Sequence, residues 1–224
     1  MIYFERSQPE PDSLQIERSK INGSYSSTDV LERLKSDFKD KCYICETKNP
    51  TSINVEHLIP HRGDKSLKFK WDNLFWSCAH CNNIKLAKYD NILDCTNAEE
   101  KVEESIKLKI DPYPLTEIEV IPLRNDEKVD DTVELLKKVY NGNTALKTIE
   151  SEYIRDLLLK EILQFCNYLS ELISSQTTTK KQYYYMLVKE SLDSSSPFAS
   201  FKRWIVKDTP RLKEKLEEFS MINN

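Results

Sequence analysis

Two pairs of cysteines, each with two residues between its members, limit the folds open to this chain more than any other feature. The pairs are Cys42 with Cys45 and Cys78 with Cys81. This spacing lets both sulfurs of a pair reach one tetrahedral ion, and zinc is the usual occupant. Residues 46–77 form a longer insertion than the ~15–20 residues of a simple zinc ribbon. The pairs therefore predict a structural Zn²⁺ site with a two-stranded hairpin folded between them.

The composition sets broader limits. The 224 residues carry a formal net charge of −4, with 39% hydrophobic and 31% charged residues, which is ordinary for a globular protein. No apolar run approaches the ~20 residues of a membrane-spanning helix, and the N-terminal residues lack the layout of a secretory signal. We expect a cytoplasmic protein, in which paired cysteines more often bind metal than form disulfides.

All three histidines of the chain lie between the first and the last of these four cysteines. With the cysteines assigned to zinc, the polar residues left for chemistry are Glu56, His57, Asn73 and Asn82. A histidine accepts protons near neutral pH, and the oxygens of Glu56 and Asn82 suit a hard ion such as Mg²⁺. An ion held by two protein oxygens keeps positions open for phosphate, which favours phosphodiester cleavage.

Three short stretches resemble, in order, the signature of the HNH endonucleases. They read Glu56-His57-Leu-Ile-Pro60, Asp72-Asn73-Leu74 and Cys81-Asn82-Asn83-Ile-Lys85. The resemblance covers residues 42–85 and implies a ββα-metal nuclease fold framed by the four-cysteine zinc site. Two positions depart from the common pattern, because many relatives carry Asp where this chain has Glu56 and His where it has Asn82.

The resemblance implies a role for each of these residues and a DNA endonuclease that depends on a metal ion. His57 would be the general base that activates water, and Asn73 would fix the loop that orients this base. Glu56 and Asn82 would hold a catalytic Mg²⁺ or Mn²⁺. Neighbouring residues of a strand point to opposite faces, so Glu56 and His57 share an ion only if the strand bends or ends there.

Basic residues that follow the predicted strand form the candidate surface for DNA, although a solvated charged loop is the alternative interpretation of this run. The candidate nucleic-acid-binding residues are His61, Arg62, Lys65, Lys68 and Lys85. We expect His61 to contact phosphate or to assist metal binding. Lys85 would meet a phosphate from the first turn of the helix that completes the motif.

The remaining sequence predicts an α+β protein, in which the zinc-stapled ββα-metal module precedes a mainly α-helical C-terminal region. A turn at residues 111–114 predicts a small hairpin between two alternating apolar runs. Helical periodicity begins at Asp131, and Asn141-Gly142 predicts the end of that helix. The predicted parts are an extended segment and helix at 1–40, the nuclease module at 41–95, the hairpin extension or linker at 96–130 and the helical region at 131–224.

Three further stretches resemble the HNH proteins that accompany an ATPase in Septu-type and retron-linked bacterial antiphage systems. They are residues 2–9, residues 91–95 and residues 201–204. This resemblance implies a partner ATPase of the ABC class, with the helical region as its docking surface. The acidic net charge of −4 agrees with such a design, because a partner can supply nucleic-acid binding.

Two other functions stay open from the sequence. The first is a non-catalytic zinc module that binds nucleic acid or protein. The second is an RNA-directed nuclease, which shares the chemistry and differs in its substrate, although the chain carries no RNA-binding signature.

Overall fold

The computed structural model describes residues 1–110, 117–142 and 144–222. Its fold is α+β, as predicted: short hairpins and the cysteine cluster lie in the N-terminal part, and a mainly helical region follows. The strands are β1 (Ile53–His57), β2 (Leu74–Cys78), β3 (Ile106–Lys109) and β4 (Glu119–Pro122). The helices are α1 (Asp12–Ser19), α2 (Thr28–Asp37), α3 (Lys65–Lys68), α4 (Ala79–Lys85), α5 (Val102–Ser105), α6 (Glu127–Asn141), α7 (Ala145–Ser174), α8 (Thr178–Leu192), α9 (Ala199–Lys207) and α10 (Pro210–Ile222).

The hairpin predicted between the cysteine pairs is confirmed. Strands β1 and β2 are antiparallel, with Glu56 opposite Phe75 and His57 opposite Leu74. All residues of β2 are buried, because α2 packs on this strand and α4 packs on both strands. Helix α4 begins directly after β2, where the Cys78 sulfur accepts a bond from the amide of Cys81. The ββα order of the nuclease prediction is therefore present.

The second hairpin pairs β3 with β4, with Ile106 opposite Pro122. The turn predicted at residues 111–114 lies outside the described residues. Helix α6 packs on β4, and α9 packs on β3, so this hairpin lies against the helical region. The contact between α4 and α6 joins the cysteine-bearing part to that region.

Helix α6 ends where the sequence predicts, at Asn141 followed by Gly142, but it begins at Glu127, four residues before the predicted Asp131. Gly142 has a φ of +77°, a backbone conformation that side chains disfavour. A Cβ atom at this position would also lie 2.6 Å from the Cα of Thr148. Helix α7 then starts beyond Thr144, whose side chain accepts a bond from the amide of Lys147. Helix α7 packs along α6.

Arg6 fastens the N-terminal segment to the end of the first hairpin. Its guanidinium lies 4.0 Å from the ring centroid of Trp71. It also donates to the carbonyls of Trp71 and Leu74, at 2.6 and 3.0 Å. The planar guanidinium satisfies two buried carbonyls while it stacks on a ring, which a lysine cannot do.

None of the helices in the described part of the chain combines the length and the apolar character that a membrane span requires.

We expect Arg6→Lys to lower the free energy of unfolding by about 1–3 kcal/mol, because two hydrogen bonds and the stacking on Trp71 are lost. Chemical denaturation monitored by circular dichroism measures this change. Arg211→Lys, at an exposed position, is the matched control and should change the stability by less than about 0.5 kcal/mol. Equal effects of the two substitutions would contradict the anchoring role of Arg6.

Candidate zinc centre and histidine cleft

The four paired cysteines converge on one point. Their sulfur atoms all lie within 4.8 Å of one another, and all four residues are buried. The sulfurs of Cys45 and Cys78 are 3.8 Å apart, which matches the edge of a tetrahedron with zinc–sulfur bonds of about 2.3 Å. A disulfide would need a separation of about 2.05 Å. The cluster therefore fits a structural Zn²⁺ ion, and four protein ligands leave no position open for a substrate.

The cluster also favours a negatively charged sulfur. Burial raises the pKa of Cys42, but hydrogen bonds from the thiols of Cys45, Cys78 and Cys81 outweigh it and bring the pKa of Cys42 well below its ordinary value. Burial, together with hydrogen bonds to Cys42, Cys45 and Cys78, raises the pKa of Cys81. A thiolate is the form that ligates metal, so a cation at the centre relieves the crowding of these sulfurs.

The zinc centre is tied to the helical region by hydrogen bonds. The hydroxyl of Tyr140 on α6 donates to the carbonyl of Cys45, at 3.2 Å. His80, between the second pair of cysteines, contacts the carbonyl of Val139 through Nε2 at 2.9 Å and the carboxylate of Glu150 through Nδ1 at 2.5 Å. His80 therefore bonds to both α6 and α7.

The buried carboxylate of Glu46 also connects the cysteine-bearing part to α9, a contact that the sequence did not predict. Glu46 is fully buried and accepts a hydrogen bond from the amide of Ser200, in the first turn of α9, at 3.1 Å. The Met1 ammonium and the Lys41 ammonium lie 3.7 and 3.6 Å from its two oxygens. The positive end of a helix and two cations together compensate the buried charge.

A cleft of about 410 Å³ lies beside the first hairpin. It brings together several of the residues that the sequence singled out, and adds Tyr25 from the N-terminal segment. The polar and aromatic side chains that line it belong to Tyr25, Asn54, Glu56, His57, His61, Arg62 and Asn82.

His57 is held in one orientation by the main chain. Its Nε2 lies 3.0 Å from the carbonyl oxygen of Lys68, and a carbonyl only accepts, so Nε2 carries the proton. The lone pair of the neutral ring is then on Nδ1, to which no described residue bonds. The ring packs edge-on against Tyr25, with the centroids 4.7 Å apart. Burial lowers the pKa of His57 below its ordinary value of 6.5, so the ring is neutral at pH 7.

Glu56 faces different neighbours from those of His57. The hydroxyl of Tyr43 donates to one of its oxygens at 2.6 Å, and the ammonium of Lys85 donates to the other at 2.9 Å. The same ammonium donates to the carbonyl of His57, at 2.9 Å. Burial raises the pKa of Glu56, and the positive charge of Lys85 acts against this rise.

Lys85 differs from its expected position. It is the last residue of α4, not a residue of the first turn, and its side chain is fully buried. Because α4 lies against β1, its last residue points into the hairpin rather than toward solvent. The phosphate contact predicted for Lys85 finds no support in this placement.

Glu56 and Asn82, the two residues expected to hold Mg²⁺ or Mn²⁺, do not fit that role as they stand. Both oxygens of Glu56 accept hydrogen bonds, and Lys85 balances its charge. Asn82 lines the cleft, and its side chain bonds to no described residue. A cation at Glu56 would have to displace a buried ammonium, so the structure gives no support for this ion.

Asn73 holds the loop that follows β1. Its side-chain oxygen accepts from the amide of Ile59 at 2.8 Å, and its amide nitrogen donates to the carbonyls of Ile59 and Leu67 at 2.9 and 3.1 Å. The loop that starts at Ile59 thus ends beside Lys68, whose carbonyl holds His57. The structure places Asn73 where it fixes the support of this ring.

The basic residues beside the cleft are largely engaged within the protein. Lys65 and Lys68 donate to main-chain carbonyls of residues 20–23, at 3.0 and 3.1 Å. Arg62 pairs with Asp90 at 2.7 Å, although 64% of its side chain is exposed. Only Arg62 of these three therefore presents much of its charge to solvent while it lines the cleft.

Comparison of the chain with protein-family models, with curated proteins and with solved structures finds no match in any of the three. The described residues show a buried four-cysteine cluster next to short antiparallel hairpins. This arrangement is typical of a zinc-binding module.

We expect Cys42→Ser to abolish zinc binding and to loosen the helical region as well, because Tyr140 and His80 connect the two parts. Elemental analysis gives the zinc content, and hydrogen exchange of α6 and α7 reports the loosening. Removal of zinc from the unaltered protein with a chelator should have the same effect.

Cys166→Ser is the matched control, since Cys166 is exposed and lies outside the cluster. It should retain one zinc per chain and the exchange rates of the unaltered protein. Loss of zinc with unchanged exchange in α6 and α7 would contradict the proposed connection.

We expect Lys85→Met to destabilise the protein by about 3–5 kcal/mol, because it leaves the buried Glu56 carboxylate without its cation. The double variant Glu56→Gln with Lys85→Met removes both charges and should recover much of this loss. Denaturation curves of the two single variants and the double variant measure the coupling. Additive losses would show that the two side chains act independently.

Proposed function

We propose that this protein is an endonuclease that hydrolyses phosphodiester bonds of DNA, with His57 as the general base. The observation that carries the proposal is the bond between Nε2 of His57 and the carbonyl of Lys68. This bond leaves Nδ1 as the basic nitrogen of a ring that lines an open cleft. The order of the motifs, inside the cysteine pairs of a ββα fold, supports the HNH class.

The proposed reaction is an attack of water on the phosphorus atom. Nδ1 of His57 takes a proton from the water as the new phosphorus–oxygen bond forms. The bond to the leaving oxygen breaks, and this oxygen takes a proton from solvent. The lowered pKa of His57 keeps Nδ1 free to accept the proton at neutral pH. By resemblance, the products carry 5′-phosphate and 3′-hydroxyl ends.

Zinc and the expected Mg²⁺ or Mn²⁺ have different roles in this proposal. Zinc shapes the scaffold and takes no part in the chemistry, because its four sulfur ligands leave no open position. The expected Mg²⁺ or Mn²⁺ would supply positive charge at the reacting phosphate. The proposed reaction does not depend on this ion, because Glu56 is already paired with Lys85.

We expect His57→Ala to slow plasmid cleavage by at least about 100-fold, because the general base is lost. Cleavage is measured with Mg²⁺, with Mn²⁺ and with a chelator, and zinc content and circular dichroism establish that the variant is folded. Asn83→Ala, an exposed change on α4, is the control and should cut at the unaltered rate. Cleavage by the His57→Ala protein at the rate of the unaltered one would contradict the assignment of His57 as the general base.

We also propose that the nuclease acts with a partner ATPase of the ABC class in antiphage defence. The resemblance of three stretches outside the motif suggests it, and the net charge of −4 is compatible with a partner that supplies nucleic-acid binding. Exposed apolar side chains on α7 and α8, such as Leu163 and Met186, are available for contact. Copurification with an ATPase encoded by a neighbouring gene tests this proposal.

The alternative is a non-catalytic zinc module that binds nucleic acid or protein. The observation that favours it is that Glu56 turns toward Tyr43 and Lys85, away from the side of His57. This alternative predicts binding of DNA without cleavage under any metal condition, and equal binding by the His57→Ala variant.

A further inference from the structure

Two histidine rings share the cleft and are held by the main chain in different ways. The centroids of His57 and His61 lie 4.8 Å apart, with 63° between the ring planes. Nε2 of His57 is 3.0 Å from the carbonyl of Lys68, whereas Nδ1 of His61 is 3.1 Å from the amide nitrogen of Gly63. The main chain thus holds His57 through Nε2 and His61 through Nδ1.

These partners fix the position of the proton on each ring. The carbonyl of Lys68 accepts, so Nε2 of His57 must donate. The amide of Gly63 donates, so Nδ1 of His61 must accept and its proton is on Nε2. Both rings are therefore the same tautomer, yet they leave opposite groups unbonded by described residues. His57 has a lone pair on Nδ1, and His61 has an N–H on Nε2.

The turn that follows His61 enforces this state. Arg62 has a φ of +45° and Gly63 one of +93°, and this pair of positive φ angles brings the amide of Gly63 back to Nδ1 of the ring. The Arg62 side chain is anchored to Asp90 and to the carbonyl of Ala87, at 2.7 and 3.3 Å. A proton on Nδ1 of His61 would face the amide proton of Gly63. The turn therefore disfavours the other tautomer of His61.

A metal ion at Nε2 of His61 would need the lone pair there and would push the proton to Nδ1, against the amide of Gly63. Of the two roles left open by the sequence, metal ligation is therefore the disfavoured one. A neutral N–H instead suits an acceptor that gains negative charge during the reaction. The non-bridging oxygens of a phosphodiester under attack are such acceptors.

We propose that His61 is a second catalytic residue of the cleft, which donates its Nε2–H to a non-bridging oxygen of the scissile phosphate. This inference rests on the proposed function. His57 then takes the proton of the attacking water, while His61 stabilises the charge on the phosphoryl oxygens and keeps its own proton throughout. The pair selects a substrate that combines an acceptor oxygen with a site for attack, as a phosphodiester does.

The tautomers are tested by nuclear magnetic resonance, which needs no catalytic turnover. The chain has three histidines, so long-range proton–nitrogen spectra resolve each ring, and His57→Ala and His61→Ala assign them. We expect the Nε2–H tautomer for both His57 and His61. Addition of inorganic phosphate should shift the Nε2 signal of His61 more than that of His57. An Nδ1–H tautomer for His61, or no response at saturating phosphate, would overturn the inference.

The catalytic role is tested with DNA that carries a phosphorothioate of defined stereochemistry at the scissile position. His61→Ala should lower kcat by roughly 10²–10³-fold, as for loss of one donor to a developing charge. His61→Gln, which retains an N–H near the same place, should restore part of it. One sulfur diastereomer should slow the unaltered protein but not His61→Ala, and Mn²⁺ should not rescue it.

The outcomes separate the two proposals. If His57→Ala is inactive and His61→Ala cuts at the unaltered rate, the role of His61 is wrong and the proposed function stands. If the unaltered protein and His57→Ala are equally inactive under every condition, the proposed function fails, and the tautomer and phosphate measurements still decide what His61 binds.

Discussion

The structure depends on four sulfur atoms held within 4.8 Å of one another. The first cysteine pair precedes the hairpin, and the second pair links β2 to α4. An ion bound between them would therefore set where both strands and this helix lie. A module of this size buries little apolar surface by itself, so we expect a bound metal ion to contribute much of its stability. Tyr140 and His80 extend the same constraint to α6 and α7.

The candidate site is built from main-chain contacts as much as from side chains. His57 depends on the carbonyl of Lys68, and Asn73 clamps the loop that leads to this carbonyl. From the other side, Lys85 holds the carbonyl of His57 and the carboxylate of Glu56 together. Two neighbouring residues of β1 thus have different roles. The ring of His57 lines the cleft, and the carboxylate of Glu56 binds Lys85 of α4.

Local patterns in the sequence predicted the features that local chemistry determines. The spacing of the cysteines indicated the metal cluster, and the length of the insertion between them indicated the first hairpin. The alternating runs indicated the second hairpin, and Asn141 with Gly142 indicated the end of α6. What the sequence did not reveal depends on pairs far apart in the chain. Glu46 meets Ser200, and His80 meets Glu150, and neither pair has a signature at either partner. Lys85 was misplaced because the rotation of α4 relative to β1, which turns this side chain inward, follows from the packing of the whole module.

Helix α4 has a further consequence for the cleft. It carries His80 at its start, where the ring is bonded to α6 and α7, and Lys85 at its end, where the ammonium is bonded to the backbone of His57. Because α4 is a short helix with hydrogen bonds at both ends, a movement of one end displaces the other. We expect that a tilt of the long helix α7 shifts the His57 ring, so binding at the outer surface of α7 can change the position of the proposed general base.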